Sequence, residues 1–140
     1  MCTLKHNSTQ VYDFKQGENN MNPKSILRAA LTIFIVLQGI MLAALFTQTP
    51  PHPPLKVEPF ALAPFLAASI SLAAAALVLG AENRLGVLTA MLATLLALVS
   101  YGPQKWFDPV FGEIWPAVIV GQIAAAGVVY FVWNRSRLRR

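Results

Sequence analysis

The chain has 140 residues, of which 56% are hydrophobic and 12% charged, and carries a formal net charge of +5. The apolar residues come in long blocks that a soluble domain of this length has no means to bury, so the composition excludes an ordinary small globular protein and points to membrane spans. The basic residues flank those blocks instead of lining one face, which excludes a nucleic-acid surface, and the single cysteine, Cys2, excludes a disulfide framework or a thiol redox pair within one chain.

Residues 1–24 are polar, with no apolar period, and are predicted to form a flexible tail. Within it, "MNPKSILR" starts at Met21 in the manner of a membrane protein's own beginning, with basic residues directly before an apolar block. Met21 is therefore an alternative start. The first apolar block, Ile26 to Phe46, is long and has no small-residue cleavage pattern after it, so it is expected to stay as an anchor. Its one charge, Arg28, lies in the first turn and can snorkel to the interface.

"TQTPPHPPLKVEPF" comes next, with five prolines among residues 50–59. Such a run favours extended polyproline II, a stiff connector. The second span is predicted from about Phe60 to Gly80, with Pro64 in its first turn, where a missing N–H costs little. Only "AENR" separates it from the third span, Leu85 to Tyr101. Gly80 can end the one helix and Asn83 can cap the next, which predicts a tight antiparallel hairpin.

Ser100 to Pro116, "SYGPQKWFDPVFGEIWP", joins the third span to the fourth. "DPVFGEIW" reads as a short helical turn of its own, with Asp108 as N-cap and Pro109 at the first helical position. The fourth span is predicted from Pro116 to Trp133, so that residues 25–134 form the transmembrane domain and residues 135–140 a basic tail. The predicted fold class is thus an all-α integral membrane protein: an antiparallel bundle of four transmembrane helices with outer loops rich in proline and aromatics.

Orientation follows from the basic residues. With the N-terminus in the cytoplasm, Lys5, Lys15, Lys24, Arg28, Arg84, Arg135, Arg137, Arg139 and Arg140 lie inside, and only Lys56 and Lys105 outside. Four spans return the C-terminus to the inside, where Arg135, Arg137, Arg139 and Arg140 are expected to anchor the chain to the inner leaflet. Trp106, Phe107, Phe111 and Trp115 then fall on the outer side. Aromatic rings suit the headgroup level, and these four are read as an interfacial strap and as the surface that meets a partner.

Two glutamines sit deep in apolar blocks, Gln38 beside Gly39 and Gln122 beside Gly121. At about 1.5 Å per residue each lies roughly 17–18 Å from the inner end of its span. An amide in hydrocarbon needs a partner. Equal depth predicts that Gln38 and Gln122 bond to each other, within one chain if spans one and four are neighbours or across a dimer, with the adjacent glycines letting the backbones approach; the alternative is a polar spot for a ligand.

Chemistry is expected to be absent. No span holds an ionisable side chain at depth, where pumps and carriers place one. The four-span length is that of small multidrug transporters, but that family is read by a membrane-embedded glutamate in its first span, and this chain has Gln38 there. The short four-span eicosanoid and glutathione enzymes carry Arg, Asn and Glu around the second span; here Glu82, Asn83 and Arg84 make a turn without that spacing. Lys105, Asp108 and Glu113 are charges in or beside a loop, with no readable nucleophile and base. No catalytic, metal or cofactor residue is assigned. The expected function is that of a non-catalytic accessory subunit, assembly factor or scaffold. Its expected partners are the lipid bilayer and another membrane protein or a second copy of itself, and no nucleic acid. The alternative is a small carrier or binder of a lipid or apolar molecule.

Overall fold

The computed structural model describes residues 22–49 and 59–137. The predicted tail up to Met21, the core of the proline-rich loop with His52 and Lys56, and the last three residues with Arg139 and Arg140 lie outside the described residues. The described part is helical: α1 Pro23–Thr47, α2 Pro59–Leu79, α3 Arg84–Tyr101, a 3-10 turn Pro103–Phe107, and α4 Phe111–Arg137. Four helices are long and apolar enough to cross a membrane.

Local chemistry explains the ends. Asn22 caps α1: its side chain accepts from the Lys24 N–H at 3.1 Å, and Pro23 takes the first helical position. The Ser25 hydroxyl adds a donor to the Asn22 carbonyl at 2.7 Å. The helix therefore starts three residues before the predicted Ile26, a shift legible in the Asn-Pro pair itself. The turn between α2 and α3 uses the two residues expected of it. Gly80 ends α2 with φ +75°, a conformation that costs glycine little. The Asn83 side chain accepts from the Leu85 N–H at 3.0 Å and opens α3.

Two prolines sit elsewhere than predicted. α2 begins at Pro59, so Pro64 lies inside the helix and not in its first turn. α4 begins at Phe111, so Pro116 is likewise internal. A proline inside a helix removes the N–H that would reach the carbonyl four residues back, here those of Phe60 and Gly112. Apolar helices in lipid tolerate this where neighbours or water meet the freed carbonyl. The separate turn predicted at "DPVFGEIW" does not exist as such: its second half is the first turn of α4. At the other end α4 runs through Arg137, past the predicted Trp133, so Arg135 and Arg137 belong to the helix and not to a tail.

Each helix buries one seam. On α1 it is Leu27, Leu31, Phe34, Gln38 and Leu45; on α2, Leu66, Ser69, Ala73 and Ala76. On α3 it is Gly86, Ala90, Ala93, Ala97 and Tyr101; on α4, Val118, Gly121, Ala125 and Val128. Steps of three and four alternate, the repeat that keeps one stripe facing a neighbour. α1 and α3 each pack against both α2 and α4, and also touch each other.

The seam of α3 is rich in alanine while its large side chains point outward; α1 instead buries Leu27, Leu31, Phe34 and Leu45. On α3, Ala90, Ala93 and Ala97 are buried and Leu85, Leu88, Leu95 and Val99 are exposed. A soluble bundle does the reverse, because burying leucine is what stabilises it. Lipid tails are as apolar as leucine, so helices in a bilayer gain instead from close contact between small residues.

Candidate functional site

Three groups of residues stand out, one at each end of the helices and one between them. The first joins helix ends. Lys24 pairs with Glu82 in the α2–α3 turn, and Arg135 near the end of α4 donates to the Glu82 carbonyl at 2.8 Å. Three basic side chains of the predicted inner face, Lys24, Arg84 and Arg135, thus lie around one turn. Arg137 stacks over the Trp133 ring, 5.2 Å from its centroid. Beyond the lipid anchoring expected of it, Arg135 ties α4 to the hairpin.

The second group is the connector between α3 and α4. Gln104 folds back and donates to the Leu98 and Val99 carbonyls at 2.7 and 2.8 Å, closing the end of α3. Asp108 organises the approach to α4. One carboxylate oxygen accepts from Lys105 at 2.8 Å, the other from the Val110 N–H at 3.2 Å. The Lys105 hydrogen bond first, and the Val110 N–H second, hold its carboxyl below the usual carboxylate range. The Asp108 carbonyl accepts from the Phe111 N–H at 2.9 Å, which starts α4. The loop charges are therefore used on the loop itself, with Glu113 separate in the first turn of α4.

The aromatics of this connector differ among themselves. Trp106 stacks on Phe111 with centroids 5.1 Å apart and planes at 28°, and Phe111 is half-buried. Trp106 and Trp115 are half exposed, and Phe107 is 91% exposed. The structure thus joins two of the four predicted surface residues, Trp106 and Phe111, into one stack beside an outward-facing phenylalanine.

The third group lies between the helices. Gln38 is fully enclosed, and neither of its amide atoms has a hydrogen-bond partner. Gln122 donates instead to the Tyr101 carbonyl, at a long 3.4 Å. The expected bond between the two amides is not made within the chain. The reason is Tyr101, to which the sequence assigns no such role. It ends α3 at the level of Gly121, and a methyl group at Gly121 would lie 2.8 Å from the Tyr101 Cβ. From there the Tyr101 hydroxyl donates to the Leu37 carbonyl of α1 at 2.8 Å. Tyr101 thus bonds to the Leu37 carbonyl beside Gln38 and takes up the Gln122 amide. Of the two adjacent glycines, Gly121 permits a close approach, whereas Gly39 faces open space. A tyrosine ending an apolar run just before Gly-Pro is the available signal, but its depth relative to α1 and α4 is not readable along the chain.

No protein-family model, curated protein or solved structure matches this chain.

Proposed function

We propose that this chain is an antiparallel, multi-pass membrane bundle with cytoplasmic termini, serving as a non-catalytic accessory subunit or assembly factor for another membrane protein. The membrane reading is supported by four helices long and apolar enough to cross a membrane, and by α3, which turns alanine inward and leucine outward. The single observation that carries the partner reading is the connector's aromatic surface. A loop ordered by its own hydrogen bonds holds Phe107 91% exposed beside the Trp106–Phe111 stack. A rigid, outward aromatic is the kind of anchor that interfaces use, because its burial costs little side-chain entropy. The matching surface on the partner is an apolar cleft at the outer headgroup level.

Purification of the full chain in mild detergent tests this. A stoichiometric membrane-protein partner is expected, and it should be lost when Trp106, Phe107 and Trp115 are replaced by alanine together. Lys105→Ala and Glu113→Ala should retain it, since exposed loop charges contribute about 1 kcal/mol at most. Lipid co-purifying without any protein partner would replace this reading with that of a small apolar carrier.

Orientation has its own test. With Cys2 removed, a cysteine placed at position 104 should react with an impermeant maleimide in intact cells, and one at position 136 only after permeabilisation. The reverse pattern would invert the proposed sense while leaving the bundle intact.

A further inference from the structure

Three polar side chains are buried among the described residues: Gln38, Ser69 and Thr94. Thr94 is satisfied, since its hydroxyl donates to the Ala90 carbonyl at 2.8 Å. The other two are not. Gln38 is 0% and Ser69 1% exposed, and Nε2 and Oε1 of Gln38 and Oγ of Ser69 all lack a partner within the protein. Folded proteins leave few such groups unsatisfied, because each forfeits its bonds to water on burial. Here no lipid headgroup or second chain can reach them, since they are sealed.

The two residues lie on the buried seams of adjacent helices. α1 packs on α2, and α1 starts and α2 ends beside Glu82. Gln38 lies about 21 Å along α1 from Lys24, and Ser69 about 15 Å along α2 from Leu79. The Cα–Cβ bond of a helical residue tilts toward the helix's own N-terminus. Gln38 therefore leans back toward the Glu82 end, while Ser69 leans away from it, and the two lean toward each other. Other polar groups do not compete for them. The Tyr101 hydroxyl is taken by the Leu37 carbonyl, and the Gln122 amide turns to Tyr101.

We propose that Gln38 and Ser69 form an internal binding site for a water molecule, held between α1 and α2. A buried water makes about three hydrogen bonds. The three unsatisfied atoms match that number and sense: Gln38 Nε2 donates, Gln38 Oε1 accepts, and the Ser69 hydroxyl does either. Neither residue carries a charge to hold an ion. Such a water pins the register of α1 against α2, which faces of small apolar residues specify poorly. The inference does not depend on any partner of the outer surface.

The full chain in lipid nanodiscs, labelled with nitrogen-15 at glutamine, provides the test. The Gln38 side-chain NH2 signals are identified by their disappearance in Gln38→Leu. They are expected to show cross-relaxation with water of the sign given by a residence longer than molecular tumbling. In parallel, Gln38→Leu and Ser69→Ala should each lower the unfolding midpoint, and the double variant should lose less than the sum, because both changes empty one site. Gln38→Met, closer in shape, serves if Gln38→Leu fails to fold. Absence of the water signal from a folded Gln38 overturns the proposal, whether the amide is dry or bonded directly to Ser69. So does a rise in midpoint for Gln38→Leu with additive effects, which marks an amide that no water satisfies.

Discussion

Gly86→Ala is expected to destabilise the bundle by about 1–3 kcal/mol, the range of overpacked cores. A methyl group there would collide with the Gly80 carbonyl and lie 3.2 Å from the Leu79 Cβ. The obstacle is backbone, held by a turn at φ +75°, so no side-chain rotation relieves it. Alanine would favour the helix by about 1 kcal/mol over glycine, and the collision must outweigh that gain. Gly39→Ala is the control. It lies in α1 with nothing within 4 Å of the added group, so only the propensity gain applies and the variant should be neutral or more stable. Unfolding midpoints of both variants in denaturing detergent make the comparison. Equal midpoints would show that the hairpin does not close against Gly86.

Gly121→Leu is expected to separate α4 from α3 and to cost about 1–3 kcal/mol or more. The first added carbon would lie 2.8 Å from the Tyr101 Cβ and 3.3 Å from its Cγ, so Tyr101 must move as a whole. Its movement breaks the hydroxyl bond to the Leu37 carbonyl and withdraws the carbonyl that Gln122 uses. Tyr101→Phe removes only the first of these bonds. Interhelical hydrogen bonds in membranes are worth about 0.6 kcal/mol on average, so this variant should lose far less than Gly121→Leu. Tyr101→Gly removes the Cβ that the added group meets, and Gly121→Ala should cost less on that background than in the wild type. Purely additive losses would mean that Gly121 and Tyr101 do not pack against each other.

The two glycines show where reading along the chain succeeds and where it stops. The hairpin is legible because its parts are local. A glycine ends one apolar run, an asparagine opens the next, and four residues leave the chain no other way to turn. The start of α4 is half legible. Asp108 signals the initiation of a turn, but Pro116 gives a misleading signal for the first residue of the last span. Proline is compatible with both a helix start and the interior of an apolar helix. The continuity from Phe111 onward decides between them. Asn22 is a different case: Asn-Pro before an apolar run is a local cap signal, outweighed in the hydropathy pattern by the polar residues around it.

The interior polar residues divide the two kinds of information most sharply. That Gln38 and Gln122 lie deep in apolar helices follows from the sequence alone, because depth is a count of residues from a helix end. The same holds for the number of helices, the hairpin, and the basic and aromatic ends. Which group each amide meets is a property of lateral register and of rotation between helices that are not neighbours in sequence. Hydropathy carries little of that, because in an alanine-rich seam several offsets bury nearly the same area. Only the tertiary structure joins Tyr101 to α1, turns Gln122 to its carbonyl, and leaves the enclosed Gln38 amide without a partner in the protein. Close contact at Gly121 selects that arrangement, and such contact depends on tenths of an ångström between distant backbones.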